Sequence, residues 1–262
     1  MPYEIRPPIV LIIAGNDPSG GAGIAADIQA VTALGAHPAP VLTTLTVQDT
    51  RNAYEVEPVA PDFVARQAGA VLDDMPVAAI KLGLLGSAEI GQAVAGVLDA
   101  HPEVPVVLDP VLVAAGGARL AEEALVQVLL ERLMPLSTLV TPNADEARGL
   151  APDAPDAAAR AAVMQAAGCP WVLHKGADED TPAVHNSLFG PDRFREDFRW
   201  NRLEGQYHGS GCTLAAAIAA LLSRQMSVPE AVRDGQDYTW RALQNGWRLG
   251  KGQSIPDRRP QK

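Results

Sequence analysis

Cysteine is scarce in this sequence, and long apolar runs are missing from it. The 262 residues include two cysteines, Cys169 and Cys212, which are too few for a disulfide framework and fit a reducing cytosol. No apolar run reaches the roughly 18 residues that a membrane-spanning helix requires. The apolar run 9–14 leads into a glycine-rich loop and does not resemble a signal peptide. We therefore expect a cytoplasmic protein.

Positive charge is also in short supply. The chain has 21 Lys and Arg against 31 Asp and Glu, which gives a formal net charge of −10. This balance disfavours a nucleic-acid or membrane surface as the partner. It still permits an anionic ligand such as ATP, because a few backbone N–H groups and cations decide phosphate binding. We expect small-molecule ligands, no nucleic acid and no membrane.

Apolar segments that have the character of strands alternate with segments of helical periodicity. The predicted strands cover residues 9–14, 40–47, 78–82, 104–109, 137–142 and 171–175. The predicted helices lie near residues 22–34, 61–73, 87–99, 119–133, 143–150, 155–167, 210–224 and 228–246. Because apolar strands separated by helices form parallel sheets that are covered on both faces, we expect an α/β fold with a mostly parallel central sheet.

Two other regions show no helix signal. Residues 182–189 and 193–200 alternate aromatic, basic and polar side chains, which predicts an antiparallel hairpin at the sheet edge. The stretch 43–59 is expected to form a lid or edge strands over a site. No linker divides the sequence, so we expect a single domain over residues 1–262, with a frayed polar tail at 256–262.

A glycine-rich loop, AGNDPSGGAGIAAD at 14–27, follows the first predicted strand and opens a helix. Glycine lets the backbone approach a ligand closely, although the loop matches neither the Walker A pattern nor GxGxxG, and an ordinary connection also explains it. Asp27 falls within the apolar stripe of the helix, where a carboxylate is costly unless it is paired or bound to a ligand. The alternative is that Asp27 only complements the helix N-terminus.

A second glycine-rich turn precedes the Ala-rich helix at 210–224. The N–H groups of Gly209, Ser210 and Gly211, together with the helix dipole, are expected to form an anion site. Cys212 stands in the first helical turn, where we expect a lowered pKa and a role as general base on a substrate hydroxyl. The alternative is a small buried hydrophobic residue, which suits Cys169.

Polar residues also follow three later strands. Asp109 and Glu146, with Asn143 nearby, suit Mg²⁺ held partly through water, although N-capping of a helix explains Asn143 equally well. Lys175 ends a predicted strand, where its charge could reach a nucleotide phosphate. The alternative is that it is an ordinary lysine at the end of a strand. His208 either lines the site or caps its loop.

Six segments together resemble the hydroxymethylpyrimidine/phosphomethylpyrimidine kinases of the ribokinase-like superfamily. The longest, AGNDPSGGAGIAADIQAVTALGAHPAPVLTTLTVQDT, covers residues 14–50, and KLGLLGSAE, LDPVLVAAGG, LVTPNADEA, HKGAD and HGSGCTLAAAIAAL follow in order. The resemblance implies a ribokinase-like three-layer sandwich. It also implies transfer of the γ-phosphoryl group of ATP to the 5-hydroxymethyl group of a 4-amino-2-methylpyrimidine, and then to its monophosphate, in thiamine biosynthesis.

The resemblance also implies roles for individual residues and a homodimer. It assigns the pyrimidine contacts to Gly15, Asp27, Gln48, Leu84 and Val111. It makes Cys212 the base and the backbone of Gly209, Ser210 and Gly211 the anion hole. It assigns Asp109 and Glu146 to Mg²⁺, and Lys175 and Asn143 to the nucleotide.

Asn16 departs from the family pattern, which has Ser or Thr at that position, and segment 178–206 is short, so the adenine contacts do not transfer. Three alternatives stay open. A pyridoxal or pyridoxine kinase would use the same scaffold and chemistry. A non-catalytic sensor would have kept the pocket without the transfer. A hydrolase would use Cys212 as its nucleophile.

Overall fold

The computed structural model describes residues 6–112 and 123–260. The strands are β1 (Ile9–Ala14), β2 (His37–Leu42), β3 (Thr44–Gln48), β4 (Ala53–Pro58), β5 (Val77–Leu82), β6 (Val106–Leu108), β7 (Leu139–Val140), β8 (Trp171–His174), β9 (Ala183–Phe189) and β10 (Arg195–Asn201). The α-helices are α1 (Gly23–Ala33), α2 (Pro61–Asp74), α3 (Ala88–Asp99), α4 (Glu123–Val128), α5 (Ala144–Leu150), α6 (Ala157–Ala166), α7 (Ser210–Leu222) and α8 (Val228–Gln244).

Eight strands form one twisted central sheet in the order β10-β9-β8-β7-β6-β5-β1-β2. The pairs from β2 to β8 are parallel, and β9 and β10 extend the sheet as an antiparallel hairpin. The predicted α/β class and the predicted edge hairpin are therefore confirmed. Across the described ranges, no helix is both long and apolar enough to cross a membrane.

The two faces of the sheet carry separate apolar cores because successive side chains of a strand point to opposite sides. In β1, Leu11 and Ile13 pack with helices α2 to α6, whereas Val10 and Ile12 pack with α1, α7 and α8. Three layers result, with the sheet in the middle. This agrees with the sandwich that the sequence predicts.

The predicted strand 40–47 is wrong in one respect, because Thr43 divides it between two sheets. Residues up to Leu42 pair in parallel with β1, whereas β3 pairs in antiparallel register with β4. The Thr43 hydroxyl donates a hydrogen bond to the Leu84 carbonyl at 2.6 Å and holds the bend. The expectation of edge strands within 43–59 is confirmed by β3 and β4.

Several boundaries also differ from the predictions. The predicted helix 119–133 begins outside the described ranges at 119–122, and α4 continues as a π-helical turn over Leu129–Leu133. Strands β6 and β7 are shorter than the predicted segments 104–109 and 137–142.

The C-terminal segment returns to the body of the protein after α8. Trp247 and Ile255 exchange two backbone hydrogen bonds of 2.8 Å, and the Asp257 N–H donates to the Ala242 carbonyl at 2.8 Å. Arg258 is only 2% exposed. The predicted frayed tail is therefore wrong for 256–258, whereas 259–260 are exposed and 261–262 lie outside the described ranges.

Candidate active site

The carboxyl ends of the parallel strands lie along one edge of the sheet, where open α/β folds bind ligands. Gly15 follows β1, and Asp109 follows β6. Asn143 and Lys175 follow β7 and β8 and form a parallel bridge between their backbones. These residues therefore share one edge of the sheet.

Gly15, Thr44 and Leu84 meet where β1 ends. A side-chain carbon at Gly15 would overlap the Thr44 hydroxyl and lie 3.0 Å from Leu84 Cδ2, so only glycine fits there. The Gly15 carbonyl accepts a hydrogen bond from the Ile24 N–H at 2.9 Å, and the Asn16 N–H donates to the Thr44 carbonyl at 2.8 Å. The predicted substrate residues Gly15 and Leu84 are thus in contact.

Asp27 on α1 forms an ion pair with Lys81 on β5. Lys81 Nζ lies 2.7 Å from Asp27 Oδ2, and both side chains are fully buried. Burial raises the pKa of Asp27 to about 6, although the charge and hydrogen bond of Lys81 act against it. Burial also acts to lower the pKa of Lys81, but the charges of Asp27, Cys212 and Asp109 outweigh it and the pKa rises. Both groups are therefore charged at neutral pH.

The sequence identified Asp27 as an inward carboxylate but not Lys81 as its partner. A signal was present, because Lys81 interrupts the otherwise apolar strand VAAIKL. The second carboxylate oxygen, Asp27 Oδ1, is buried and has no hydrogen-bond partner in the part of the chain that the structure describes. An unpaired buried acceptor is costly, which marks this oxygen as a position for a ligand donor.

The second glycine-rich turn, which we call the anion-site loop, consists of Gly209, Ser210 and Gly211. It leads into α7 at Gly209, whose φ of +76° favours glycine. A side-chain carbon at Gly209 would overlap the Gly21 carbonyl oxygen, so the two glycine-rich loops touch at this point. The first-turn N–H groups of α7, which include those of Ser210 and Gly211, have no acceptor within the helix. They are available to an anion.

Cys212 is half-buried in the first turn of α7. Burial raises the pKa of its thiol to about 11; Lys81 acts against this rise, whereas Asp27 and Asp109 add to it. The expectation of a lowered pKa is therefore wrong, because desolvation outweighs the charge of Lys81. Cys169 is buried and its pKa is raised to about 12 by that burial, as expected for a packing residue.

Asp109 and Lys175 form the second buried ion pair of the site. Lys175 Nζ lies 3.1 Å from Asp109 Oδ1, which also accepts a hydrogen bond from the Thr141 hydroxyl at 3.2 Å. Burial acts to lower the pKa of Lys175, but Asp109 and Glu146 outweigh it and raise the pKa. A side-chain carbon at Gly211 would lie 3.1 Å from Lys175 Nζ. The lysine therefore stands directly beside the anion-site loop.

Asn143 and Glu146 form a capping box at the start of α5. The Asn143 side chain accepts from the Glu146 N–H at 2.7 Å, and Glu146 Oε2 accepts from the Asn143 N–H at 2.8 Å. The capping alternative for Asn143 is thus confirmed. Burial raises the pKa of Glu146 to about 7, Lys175 acts against this rise, and Asp109 adds to it.

His208 joins the β3–β4 sheet to the first glycine-rich loop. Its Nε2 lies 2.8 Å from Asp17 Oδ2 and 3.1 Å from Gln48 Nε2, and the ring is 2% exposed. Burial acts to raise the pKa of Asp17, but hydrogen bonds from His208 and Ser19 outweigh it and lower the pKa. The sequence did not identify Asp17, which lies inside the quoted loop.

A cavity of about 520 Å³ opens beside Lys175 and the anion-site loop. Asn143, Lys175, Ser210 and Gly211 line it, so residues predicted to bind the nucleotide and its phosphates meet there. Trp200 and Trp240 also line it, with their rings stacked 6.2 Å apart. Val111 follows β6, and its N–H donates to the Asp109 carbonyl at 2.9 Å.

The chain is similar in sequence to known proteins along most of its length. The family model described as phosphomethylpyrimidine kinase matches residues 17–257. A hydroxymethylpyrimidine/phosphomethylpyrimidine kinase of Streptomyces coelicolor is 38% identical over 95% of this chain and 93% of its own. A thiamine biosynthesis bifunctional protein of Geobacter sulfurreducens is 40% identical over 93% of this chain and 50% of its own.

Solved structures share the whole fold. The pyridoxal kinase of Staphylococcus aureus in complex with AMP-PCP and pyridoxal has a TM-score of 0.87 at 28% identity, covering 96% of this chain and 93% of its own. A phosphomethylpyrimidine kinase of Clostridium difficile has a TM-score of 0.77 at 30% identity, covering 88% and 97%. On the family model and the identity of these relatives, the chain belongs to the phosphomethylpyrimidine kinase family.

Proposed function

We propose that this protein transfers the γ-phosphoryl group of ATP to the hydroxymethyl group of 4-amino-5-hydroxymethyl-2-methylpyrimidine, to its monophosphate, or to both, in thiamine biosynthesis. One observation carries the proposal. The anion-site loop stands between two buried ion pairs. On one side, the charges of Lys81 and Asp27 act on Cys212. On the other side, Lys175 Nζ lies next to Gly211. Phosphoryl transfer requires mainly this kind of positioning and charge stabilisation.

The substrate side of the site is polar at two points and apolar between them. Asp27 Oδ1, a buried acceptor, suits the amino group or a protonated ring nitrogen of an aminopyrimidine. The Gln48 amide carries both a donor and an acceptor, which suits the edge of such a ring. Gly15 lets Thr44 and Leu84 approach the end of β1 closely, and Leu84 and Val111 would supply apolar contact to the ring. The Thr46 hydroxyl donates to the Asn16 carbonyl at 2.8 Å and lies 3.2 Å from Gln48 Oε1, which places the glutamine amide beside the first glycine-rich loop.

The phosphoryl group would be held by the N–H groups of Gly209, Ser210 and Gly211 and by Lys175. Lys175 is the cation closest to that loop in the described contacts, and its raised pKa keeps it charged at working pH. Backbone donors that are fixed in advance stabilise developing negative charge without reorganisation.

Cys212 is the group we propose to receive the proton of the substrate hydroxyl. With a pKa near 11, only a small fraction of this thiol is ionised at neutral pH. The positive charge of Lys81 acts in favour of that ionised form. The proposal therefore implies an activity that increases in alkaline solution.

Magnesium fits the two buried carboxylates near Lys175, which are Asp109 and Glu146. Burial raises the pKa of Glu146 to about 7, Lys175 acts against this rise, and the nearby charge of Asp109 adds to it. In the described ranges no group of three or more potential metal ligands is preassembled. Mg²⁺ commonly binds through one or two carboxylates, water and substrate phosphates, so Asp109 and Glu146 suffice. When bound, the ion would neutralise phosphate charge.

The nucleotide is proposed to occupy the cavity of about 520 Å³, a volume that suits a ligand of its size. Its phosphates would reach Lys175 and Asn143, and its base would approach the Trp200 and Trp240 side of the cavity. The AMP-PCP complex of the Staphylococcus aureus pyridoxal kinase supports ATP as the phosphoryl donor.

Pyridoxal is the second candidate substrate. The observation in its favour is that the pyridoxal kinase fold superimposes with a TM-score of 0.87, against 0.77 for the Clostridium difficile enzyme. Sequence identity and the family model favour the pyrimidine. The raised pKa of Cys212 disfavours the hydrolase alternative, which needs a reactive thiolate.

We also propose a single-domain, cytoplasmic homodimer. The β3–β4 sheet exposes Leu45 (49%), Val47 (55%) and Tyr54 (58%), and such a patch suits contact with a second copy. A Val47→Glu variant should shift the mass measured by light scattering from dimer to monomer. A monomeric wild type would contradict this assembly.

The function is tested by ADP release with Mg·ATP and three acceptors in parallel. These are 4-amino-5-hydroxymethyl-2-methylpyrimidine, its monophosphate and pyridoxal. Turnover of either pyrimidine supports the proposal, and the ratio of the two rates reports which step dominates. Turnover of pyridoxal alone would change the substrate, and ATP binding with no transfer to any acceptor would favour a sensor.

A further inference from the structure

Arg258 is a buried cation without a charged partner in its hydrogen bonds. In the described chain, its guanidinium donates to four neutral acceptors. These are Thr213 Oγ1 at 2.7 Å, Gly20 O at 3.4 Å, Gln29 Oε1 at 3.5 Å and Gly21 O. Burying a charge is expensive, so an arginine is retained in such a place when its several donors are used.

The acceptors of Arg258 lie in the first glycine-rich loop, on α1 and on α7. Gly20 and Gly21 lie in the loop that follows β1, and Thr213 follows Cys212 on α7. The Thr213 hydroxyl in turn donates to the Gly209 carbonyl at 2.7 Å. A hydrogen-bonded relay therefore runs from Arg258 through Thr213 to the residue at which the anion-site loop turns.

The same arginine reaches Gly209 from the other side. The Gly21 carbonyl, which accepts from Arg258 Nη2, packs so closely on Gly209 that no side chain fits between them. Arg258 thus fixes the carbonyl of Gly209 through the relay and the opposite side of the turn through Gly21. Because linked hydrogen bonds reinforce one another, a loss at Arg258 should loosen both contacts.

The chain that leads to Arg258 is anchored along its path. The Gln253 N–H donates to the Thr50 carbonyl at 2.9 Å, and the Ser254 carbonyl accepts from the His208 N–H at 2.8 Å. Tyr238 donates its hydroxyl to the Arg258 carbonyl at 2.8 Å. These contacts join the tip of the β3–β4 sheet, the anion-site loop and α8 before the guanidinium inserts, so its position is determined by more than one element.

We propose that Arg258 is a positioning residue for phosphoryl transfer. It holds the loop at Gly20–Gly21 against the turn at 209–213, and so fixes the anion-site N–H groups and Cys212 relative to the substrate. This inference rests on the proposed function for its effect on turnover. The coupling between the two loops is independent of the substrate.

The test compares Arg258→Met with Arg259→Met, which is a matched control because Arg259 is exposed, pairs with Asp257 and stacks on Trp247. In Arg258→Met, kcat should fall about 10- to 100-fold, the usual result of a small misplacement. The KM for ATP should stay within about twofold of the control. Arg258→Lys, which keeps the charge but not the fork of donors, should recover part of the loss.

Hydrogen exchange provides a readout besides activity. Peptides that cover residues 14–27 and 207–214 should exchange faster in Arg258→Met than in Arg259→Met, whereas peptides from α3 should not differ. A folded Arg258→Met protein with control-like kcat and exchange would overturn the proposal. If Arg258→Met does not fold, Thr213→Val breaks the same relay. A Thr213→Val protein with the kcat and the hydrogen exchange of the wild type would also overturn the proposal.

The proposed function can fail separately. A wild type that transfers phosphoryl groups to no acceptor would refute the kinase assignment. The exchange comparison would still decide whether Arg258 couples the loops, with faster exchange at 207–214 supporting the coupling and unchanged exchange refuting it.

Discussion

Asp27 and Lys81 form an ion pair, 2.7 Å between Oδ2 and Nζ, inside the core between α1 and β5. Removing one member leaves the other charge buried and uncompensated. The pair therefore links the stability of the fold to the substrate side of the site.

Asp27→Ala should lower the free energy of unfolding by about 3–5 kcal/mol, measured by urea denaturation, because it leaves the charge of Lys81 buried without a partner. Asp62→Ala, which breaks the exposed Asp62–Arg66 pair, is the control and should cost about 0–1 kcal/mol. The double variant Asp27→Leu with Lys81→Met should recover much of the loss. Equal costs for Asp27→Ala and Asp62→Ala would show that the buried pair is unimportant.

Cys212 should make the reaction depend on pH. A base acts in its deprotonated form, so kcat/KM should rise by up to about tenfold per pH unit from pH 7 to 9 while the thiol pKa stays near 11. Cys212→Ala should lower kcat by about 10²–10⁴. Cys212→Asp should retain activity and lose the alkaline rise. Undiminished turnover in Cys212→Ala would remove this thiol from the mechanism.

Gln48→Ala should raise the KM for the pyrimidine about 3- to 10-fold, which corresponds to the loss of one or two neutral hydrogen bonds. The KM for ATP serves as the internal control and should not move, because Gln48 lies beside His208 and not among the residues that line the nucleotide cavity. An equal rise in both constants would make Gln48 a structural residue.

Glu146→Gln should weaken the apparent affinity for Mg²⁺ about 10- to 100-fold in a titration at fixed ATP. Glutamine can preserve the capping box with Asn143, so the melting temperature should stay close to that of the wild type. Asp145→Asn is the matched control, since Asp145 is exposed and pairs with Arg148. Identical Mg²⁺ titrations of both variants would argue against a metal role for Glu146.

Much of the architecture was accessible from local patterns in the sequence. Continuous apolar strands between helices predict the parallel sheet, and the position of Asp27 in the apolar stripe of α1 predicts that its carboxylate points inward. The break at Thr43 was missed because the residues on both sides of it favour a β-strand. Only the pairing separates the two strands, since β2 pairs with β1 and β3 pairs with β4.

The missed residues depend on contacts between distant parts of the chain. Lys81 meets Asp27 across 54 positions and Arg258 meets Thr213 across 45, and no local pattern specifies either pair. The polar composition at 256–262 predicts exposure, but the backbone contacts that precede Arg258 override it at 256–258. The pKa of Cys212 was mistaken for a related reason, because burial and the charges of Asp27 and Asp109, which are distant in sequence, outweigh Lys81.

Individual helices differ in what they bury against the sheet. Helices α2 and α3 bury only apolar residues and glycine against the sheet, whereas α1 buries Asp27 and α7 buries Thr213 next to Cys212. Exchanges among aliphatic side chains of similar volume should therefore be tolerated in α2 and α3. Exchanges in α1, α5 and α7 would disturb Asp27, Glu146 and Thr213. In a library of random variants, the inactive but well-folded proteins should therefore carry more changes in these three helices than in α2 and α3.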